Sequence, residues 1–193
     1  MNNKSVKLIE FDGYKYVDGG VCAADGFMAN GVYCGIKKSP TLDGNDTPIK
    51  QKNDLGMIYS EIPCTCACVY TQNKVKGAPI LVTKNNLEKT GGIAKAVIVN
   101  SKNANTCNAY GEEKAFMMCQ LAANELGIKP EEVVVASTGV IGQILPIEPV
   151  KEGVVPLVKG LSFTGNEGAA TAIMTTDTVK KEVAVEFEVG GKK

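Results

Sequence analysis

The sequence predicts an α/β fold organised round a βαβ unit at residues 93–137. Two apolar runs rich in β-branched residues, "IAKAVIVNS" and "VVVAS", flank a segment whose apolar side chains recur at helical spacing, the order a crossover unit requires. Size supplies the other constraint. With 193 residues, 44% of them hydrophobic and 22% charged, the chain can bury a core of its own and is expected to form one domain over 1–193.

Taken in order, "YKYVDGGVCA" alternates like a short strand, and "DGFMANGVYCGIKK" reads as extended pieces joined by a tight turn at Asn30-Gly31. Residues 39–53, "SPTLDGNDTPIKQKN", are polar and rich in turn formers, so a surface loop is expected. Strands resume at "LGMIYSEI" and again at "CTCACVYT"; "NKVKGAP" connects, and "ILVTKNNLEKTGG" closes this strand-rich segment. The run "IAKAVIVNS" leads into a loop with asparagines at 100, 103, 105 and 108. A helix follows from Glu112, because Ala115, Cys119, Ala122 and Leu126 share one face and Glu112 and Glu113 suit the positive end of its dipole. Gly127, Ile128 and Pro130 form its stop signal. The two strands of the unit should be parallel with a right-handed crossover. Beyond Pro146, "PIEPVKEGVVPLVKGLS" suggests a short helix broken by proline, and "NEGAATAIMTTDT" a helix running into an extended, hydroxyl-rich stretch. In the tail, Val183, Val185, Phe187 and Val189 alternate with polar or small residues, a half-exposed strand ending at a Gly-Gly turn. A hairpin turn without its returning strand suggests one piece of something longer, or a strand that pairs with another chain.

Composition excludes several chemistries. Formal net charge is zero and the positive charges are dispersed, so no footprint for nucleic acid or an anionic membrane is present. All 21 cations are lysine, and histidine and tryptophan are absent. A Ser-His-Asp or Cys-His nucleophile is therefore impossible within this chain, as is His-ligated zinc. A cytoplasmic protein is expected, with seven reduced cysteines (22, 34, 64, 66, 68, 107 and 119).

Few segments carry chemistry on their own. Cys64, Cys66 and Cys68 at period-two spacing share one strand face, where core packing is the favoured reading over zinc or redox chemistry. The asparagine loop and "MTTDT" can each be read as ordinary connections, and no P-loop or GxGxxG follows a strand. The best physical candidate is "ASTGV" at the exit of the second strand: the Thr138 hydroxyl and the unobstructed Gly139 N–H could serve as paired donors to an oxyanion. It leaves from the same carboxyl edge as the asparagine loop, where ligands of such units gather.

Five blocks, "GVCAADGFMANGVYCGIKK", "VYTQNKVKGAPILV", "VIVNSKNANTCNAYG", "VVVASTGVIGQILP" and "AIMTTDT", resemble in order and spacing the N-terminal α chain of the glutamate N-acetyltransferase (ornithine acetyltransferase) family. The resemblance runs from about Gly19 to Gly191. It implies a layered sheet-and-helix fold of the N-terminal-nucleophile type, similar to self-cleaving aminopeptidases. It also implies transfer of an acetyl group from N2-acetylornithine to glutamate in arginine biosynthesis. In that family a precursor cuts itself before a threonine, which becomes the nucleophile at the N-terminus of a separate β chain, its own amine acting as base.

By the same resemblance the oxyanion hole falls on Thr138 and Gly139, and the substrate-contacting threonine on Thr175, with Thr176 the neighbouring alternative. A β chain in an α2β2 assembly is the implied partner. No metal or cofactor is implied, although acetyl-CoA stays open as a second acetyl donor. The family's processing site, with its nucleophile, and its substrate lysine are expected beyond the Gly-Gly turn, so this chain alone should be inactive. Three departures stand out: Lys102 where the family carries glycine, Val179-Lys180 in place of x-Pro, and an insertion at 39–53. The rival expectations are a self-cleaving aminopeptidase-like hydrolase and a non-catalytic thiol or metal-binding domain on the three clustered cysteines.

Overall fold

The computed structural model describes residues 13–37 and 51–193, so most of the 39–53 insertion lies outside the described residues. In chain order the elements are β1 (Tyr14–Val17), β2 (Phe27–Val32), β3 (Leu55–Thr65), α1 (Ala78–Thr90), β4 (Ile93–Asn100), α2 (Gly111–Leu126), β5 (Val133–Ser137), α3 (Ile147–Lys159), α4 (Asn166–Ala172) and β6 (Ala184–Phe187). A four-stranded sheet has the order β2-β3-β4-β5. Its first two pairings are antiparallel, and β4 and β5 run parallel from Ala96↔Val133 to Asn100↔Ser137, as the βαβ reading requires.

Strand β4 shows why the sheet is two-sided. Ala94, Ala96, Ile98 and Asn100 are buried while the residues between them are half-exposed, the period of two that points alternate side chains to opposite faces. Ala96 and Ile98 join Leu55, Met57, Val133 and Val135 against Ala115, Met118, Cys119 and Ala122 of α2 and Val150, Val154 and Leu157 of α3. Helix α2 ends on Gly127 at φ 67°, and the Ile128 N–H reaches back to the Ala123 carbonyl at 3.1 Å, closing the helix as its stop signal predicts.

On the other face lies α4, admitted by small residues. A Cβ on Gly31 would stand 1.9 Å from the Gly168 carbonyl oxygen, and one on Gly56 would meet the Ala172 methyl at 3.1 Å. Here the expectation of a turn at Asn30-Gly31 is corrected: both residues lie inside β2, paired with Met57 and Gly56. That glycine serves close approach between strand and helix, which a turn dipeptide reading does not anticipate.

Other expectations change as well. The extended pieces at Leu55 and Cys64 form one strand with a shift in register between Tyr59 and Cys64. The stretch "ILVTKNNLEKTGG" belongs to helix α1, closed by Gly91 at φ 66°. Helix α3 is continuous through Pro156. An interior proline costs about 3 kcal/mol, whereas fully burying an aliphatic side chain gains about 1.5–3 kcal/mol. Ile147, Val150, Val154 and Leu157 form a buried stripe of four, so packing outweighs the proline, whose ring faces solvent.

Strands β1 and β6 form a separate two-stranded antiparallel sheet. Lys15 and Lys193 both pair with Glu186, at 2.8 and 3.2 Å. In register, Tyr14 and Tyr16 share the other face with Phe187 and Val185, and the last two remain exposed. Among the described residues no helix is long and apolar enough to cross a membrane.

Candidate active site

The loops that follow β4 and β5 are stitched into one unit at the carboxyl edge of the sheet. Asn100, at the last position of β4, accepts from Ser137 Oγ through Oδ1 at 2.6 Å and donates through Nδ2 to the Asn103 carbonyl at 2.9 Å. Asn103 donates to the Gln143 carbonyl at 3.1 Å and receives the Asn105 N–H at 2.8 Å. Asn105 donates to the Gly111 carbonyl at 2.9 Å, tying the loop to the first residue of α2. Asn100, Asn103 and Asn105 are almost wholly buried. The reading of this loop as an ordinary polar connection is therefore replaced: its buried amides cross-link the two loops and the start of α2.

This scaffold fixes the Thr138-Gly139 pair. The Thr138 N–H donates to the Asn100 carbonyl at 3.0 Å and the Val140 N–H to the Lys102 carbonyl at 2.9 Å. Between them Gly139 adopts φ 131°, and a Cβ there would lie 2.2 Å from the Lys102 carbonyl carbon. Only glycine fits. Among the described residues neither the Gly139 N–H nor the Thr138 hydroxyl has a hydrogen-bond partner in the protein. Two adjacent donors at a loop mouth are thus left uncommitted.

Gly139 and Val140 line a cavity of about 920 Å³, together with Thr171 of α4 and Met174, Thr175, Thr176 and Asp177 from the segment after it. The structure thereby brings the Thr138-Gly139 loop and both candidate threonines to one place, with Thr138 itself half-buried beside the cavity and Thr175 and Thr176 exposed along it. Both threonines line the cavity, so the geometry keeps both in contention.

Two residues that sequence reasoning missed hold the opposite wall. Asp54 is fully buried and accepts the Cys34 and Lys37 N–H groups, each at 2.7 Å. Lys37 Nζ donates to the Asn53 and Met174 carbonyls at 2.7 and 2.9 Å, so it anchors the threonine segment to the residues just before β3. Ser101 Oγ, just after β4, donates to the carbonyl of Ala172 at the end of α4, at 2.5 Å. An aspartate before an apolar strand carries no periodic signal, and nothing local marks it.

The clustered cysteines are not in the core, which corrects the packing expectation. Cys64 and Cys66 are half-buried and Cys68 is exposed, because β3 ends at Thr65 and the chain leaves the sheet there. Cys66 and Cys68 bring their sulfurs to 3.8 Å. Among the described residues, no group of three or more His, Cys, Asp or Glu side chains is arranged to hold a metal ion.

Residues 31–193 match the ArgJ family. The arginine biosynthesis bifunctional protein ArgJ of Gloeobacter violaceus is 44% identical over 180 residues, covering 93% of this chain and 41% of that protein. Its counterpart in Oceanobacillus iheyensis is 43% identical over 178 residues, covering 91% and 40%. The chain thus spans about two fifths of the length of the curated relatives it matches. Among solved structures, the ArgJ bifunctional protein of Bacillus halodurans superposes with a TM-score of 0.79 at 34% identity, over 93% of this chain and 88% of that one. The ornithine acetyltransferase of Mycobacterium tuberculosis, complexed with ornithine, gives 0.76 at 35% identity, over 89% and 88%. The layered α/β fold expected from the five blocks is that of these structures.

Proposed function

This chain belongs to the ArgJ family, and from that premise we propose that it is the α chain of an acetyltransferase that moves the acetyl group of N2-acetylornithine to glutamate. The nucleophile is the N-terminal threonine of a β chain, in an assembly of two α and two β chains. The observation that carries the reading is the uncommitted donor pair, the Thr138 hydroxyl and the Gly139 N–H, held rigidly at a cavity rim by the asparagine scaffold.

In the forward half-reaction the threonine hydroxyl attacks the acetyl carbonyl and passes its proton to the threonine's own amine. The carbonyl oxygen becomes an oxyanion, and Thr138 and Gly139 donate to it. Collapse expels the ornithine amine, which takes up that proton, and leaves an acetyl-enzyme. The glutamate amine then attacks the acetyl-enzyme through the same oxyanion hole, its proton passes by way of the threonine amine to the threonine oxygen, and that oxygen leaves as acetylglutamate forms. Preorganised donors are effective because they need no rearrangement as the charge develops. Thr175 or Thr176 positions the substrate on the cavity wall.

Length supports the division into two chains: the curated relatives run well beyond the matched stretch, whereas the solved chain from Bacillus halodurans is nearly coextensive with it. The relatives' name describes a bifunctional protein, which supports acetyl-CoA as a second donor to glutamate.

The test is Thr138→Ala in the protein assembled from both chains. Loss of one oxyanion donor should lower kcat by roughly 100- to 1000-fold while assembly and folding are kept. Near-normal turnover would remove Thr138 from the mechanism. Assay with and without glutamate distinguishes transfer from hydrolysis.

A further inference from the structure

The cavity at the Thr138-Gly139 loop gathers three lysines and two carboxylates from the described residues. Lys37, Lys52 and Lys102 line it, against the carboxylates of Glu167 and Asp177. Asp177 is already engaged by Lys181 and by the Thr175 N–H. Lys37 is engaged as well, through its two carbonyl acceptors. Burial holds its ammonium below the usual lysine range; Asp54 opposes that effect, while the charges of Lys52 and Lys102 add to it. Among the described residues, neither Lys52 nor Lys102 has an ion pair.

Lys102 also occupies a backbone position that does not suit it. It sits at φ 78°, in the left-handed region that glycine adopts without steric cost. Its carbonyl receives the Val140 N–H, and its backbone closes over Gly139, so the loop geometry depends on the main chain alone. Nothing in the backbone calls for a lysine here. What the side chain adds is a positive charge at the cavity, next to Gly139, with no ion-pair partner among the described residues.

We propose that Lys102, with Lys52 beside it, selects the acyl acceptor: the pair binds the side-chain carboxylate of glutamate and disfavours a side chain that ends in an ammonium, as ornithine's does. The assignment rests on the acetyltransferase reading. Both substrates use one cavity in alternation, so a fixed positive wall favours the acceptor over the departing amine and biases the exchange toward acetylglutamate. Because both lysines reach solvent, the preference should weaken as salt is raised.

Lys102→Gly tests this in the two-chain protein, since glycine relieves the left-handed strain and leaves the loop intact. KM for glutamate should rise about tenfold, the size of one lost charge-assisted hydrogen bond. KM for N2-acetylornithine should stay level or fall, with kcat at saturating glutamate retained. Lys102→Glu should go further and favour the cationic substrate. Unchanged glutamate KM in Lys102→Gly and in the double variant with Lys52→Ala, alongside normal turnover, overturns the assignment alone. Absence of any acetyl transfer by the unmodified two-chain protein would instead sink the acetyltransferase reading, and this assignment with it.

Discussion

At the scale of single residues, the site depends on one glycine and three buried asparagines. Gly139 meets the Lys102 carbonyl group so closely that no Cβ can be inserted without moving backbone on one side or the other. Gly139→Ala should therefore act on both folding and chemistry. Its unfavourable φ alone costs on the order of 1–3 kcal/mol, and the loop must shift away from the asparagine scaffold. The expected result is a lower urea midpoint together with loss of acetyl transfer beyond that of Thr138→Ala, measured side by side. Thr138 and Gly139 stand out in the sequence as candidates because a hydroxyl and a glycine at the exit of an apolar strand have few structural duties. Asn100, Asn103 and Asn105 were visible as a cluster, yet asparagine is common in turns, and only their burial separates a scaffold from a connection.

Among the elements, α1 shows how a helix escapes a reading based on hydrophobic spacing. Its inner face carries Thr83 and Asn86, both buried. Thr83 Oγ1 donates to the Val135 carbonyl at 3.0 Å and accepts the Val135 N–H at 3.1 Å, while Asn86 Nδ2 donates to the Val133 carbonyl at 3.1 Å. Strand β5 is the edge of the four-stranded sheet, and these side chains supply the hydrogen bonds that a neighbouring strand would otherwise provide. Because Thr83 and Asn86 interrupt Ala78, Val82 and Leu87 on the buried face, only a broken apolar stripe is there to detect. Thr83→Val keeps the shape and removes both bonds, leaving a buried N–H and C=O unpaired at a cost of about 1–3 kcal/mol each. Urea unfolding should show that loss, and turnover should fall as well, because β5 leads directly to Thr138. Unchanged stability would mean that α1 is held by packing alone. Helices α2 and α3, by contrast, bury apolar stripes, and their existence was readable from spacing even where the effect of Pro156 was not.

For the molecule as a whole, buried thiols link stability to pH. Burial pushes the Cys119 thiol from its ordinary 9.0 up to about 12, and burial followed by the nearby Asp54 charge raises Cys34 in the same direction. Both are therefore neutral in the folded state at a pH where the unfolded chain has released its protons. The stabilisation is complete below pH 9.0 and is lost as pH rises through that value toward 12. Urea midpoints measured across this range should fall for the unmodified protein, and fall less steeply for Cys119→Ala, which has one thiol fewer to ionise. A parallel decline in both would assign the loss to other groups.

The β4-α2-β5 unit, the stop at Gly127 and the Thr138-Gly139 exit from β5 are legible in the order of residues alone, because each rests on periodicities and cap residues that act within a few positions of one another. Five ordered blocks added the family. Only the tertiary structure decided that α4 approaches β2 through Gly31, that Lys37 and Asp54 hold Met174 against the sheet, and that Thr175, Thr176 and Lys102 share a cavity with Gly139. It also decided that Val185 and Phe187 of β6 stay exposed, where alternation alone could not say which side is covered. The physical reason is common to all of these. Each depends on groups tens of residues apart meeting across packed layers, and such meetings leave no trace in local spacing.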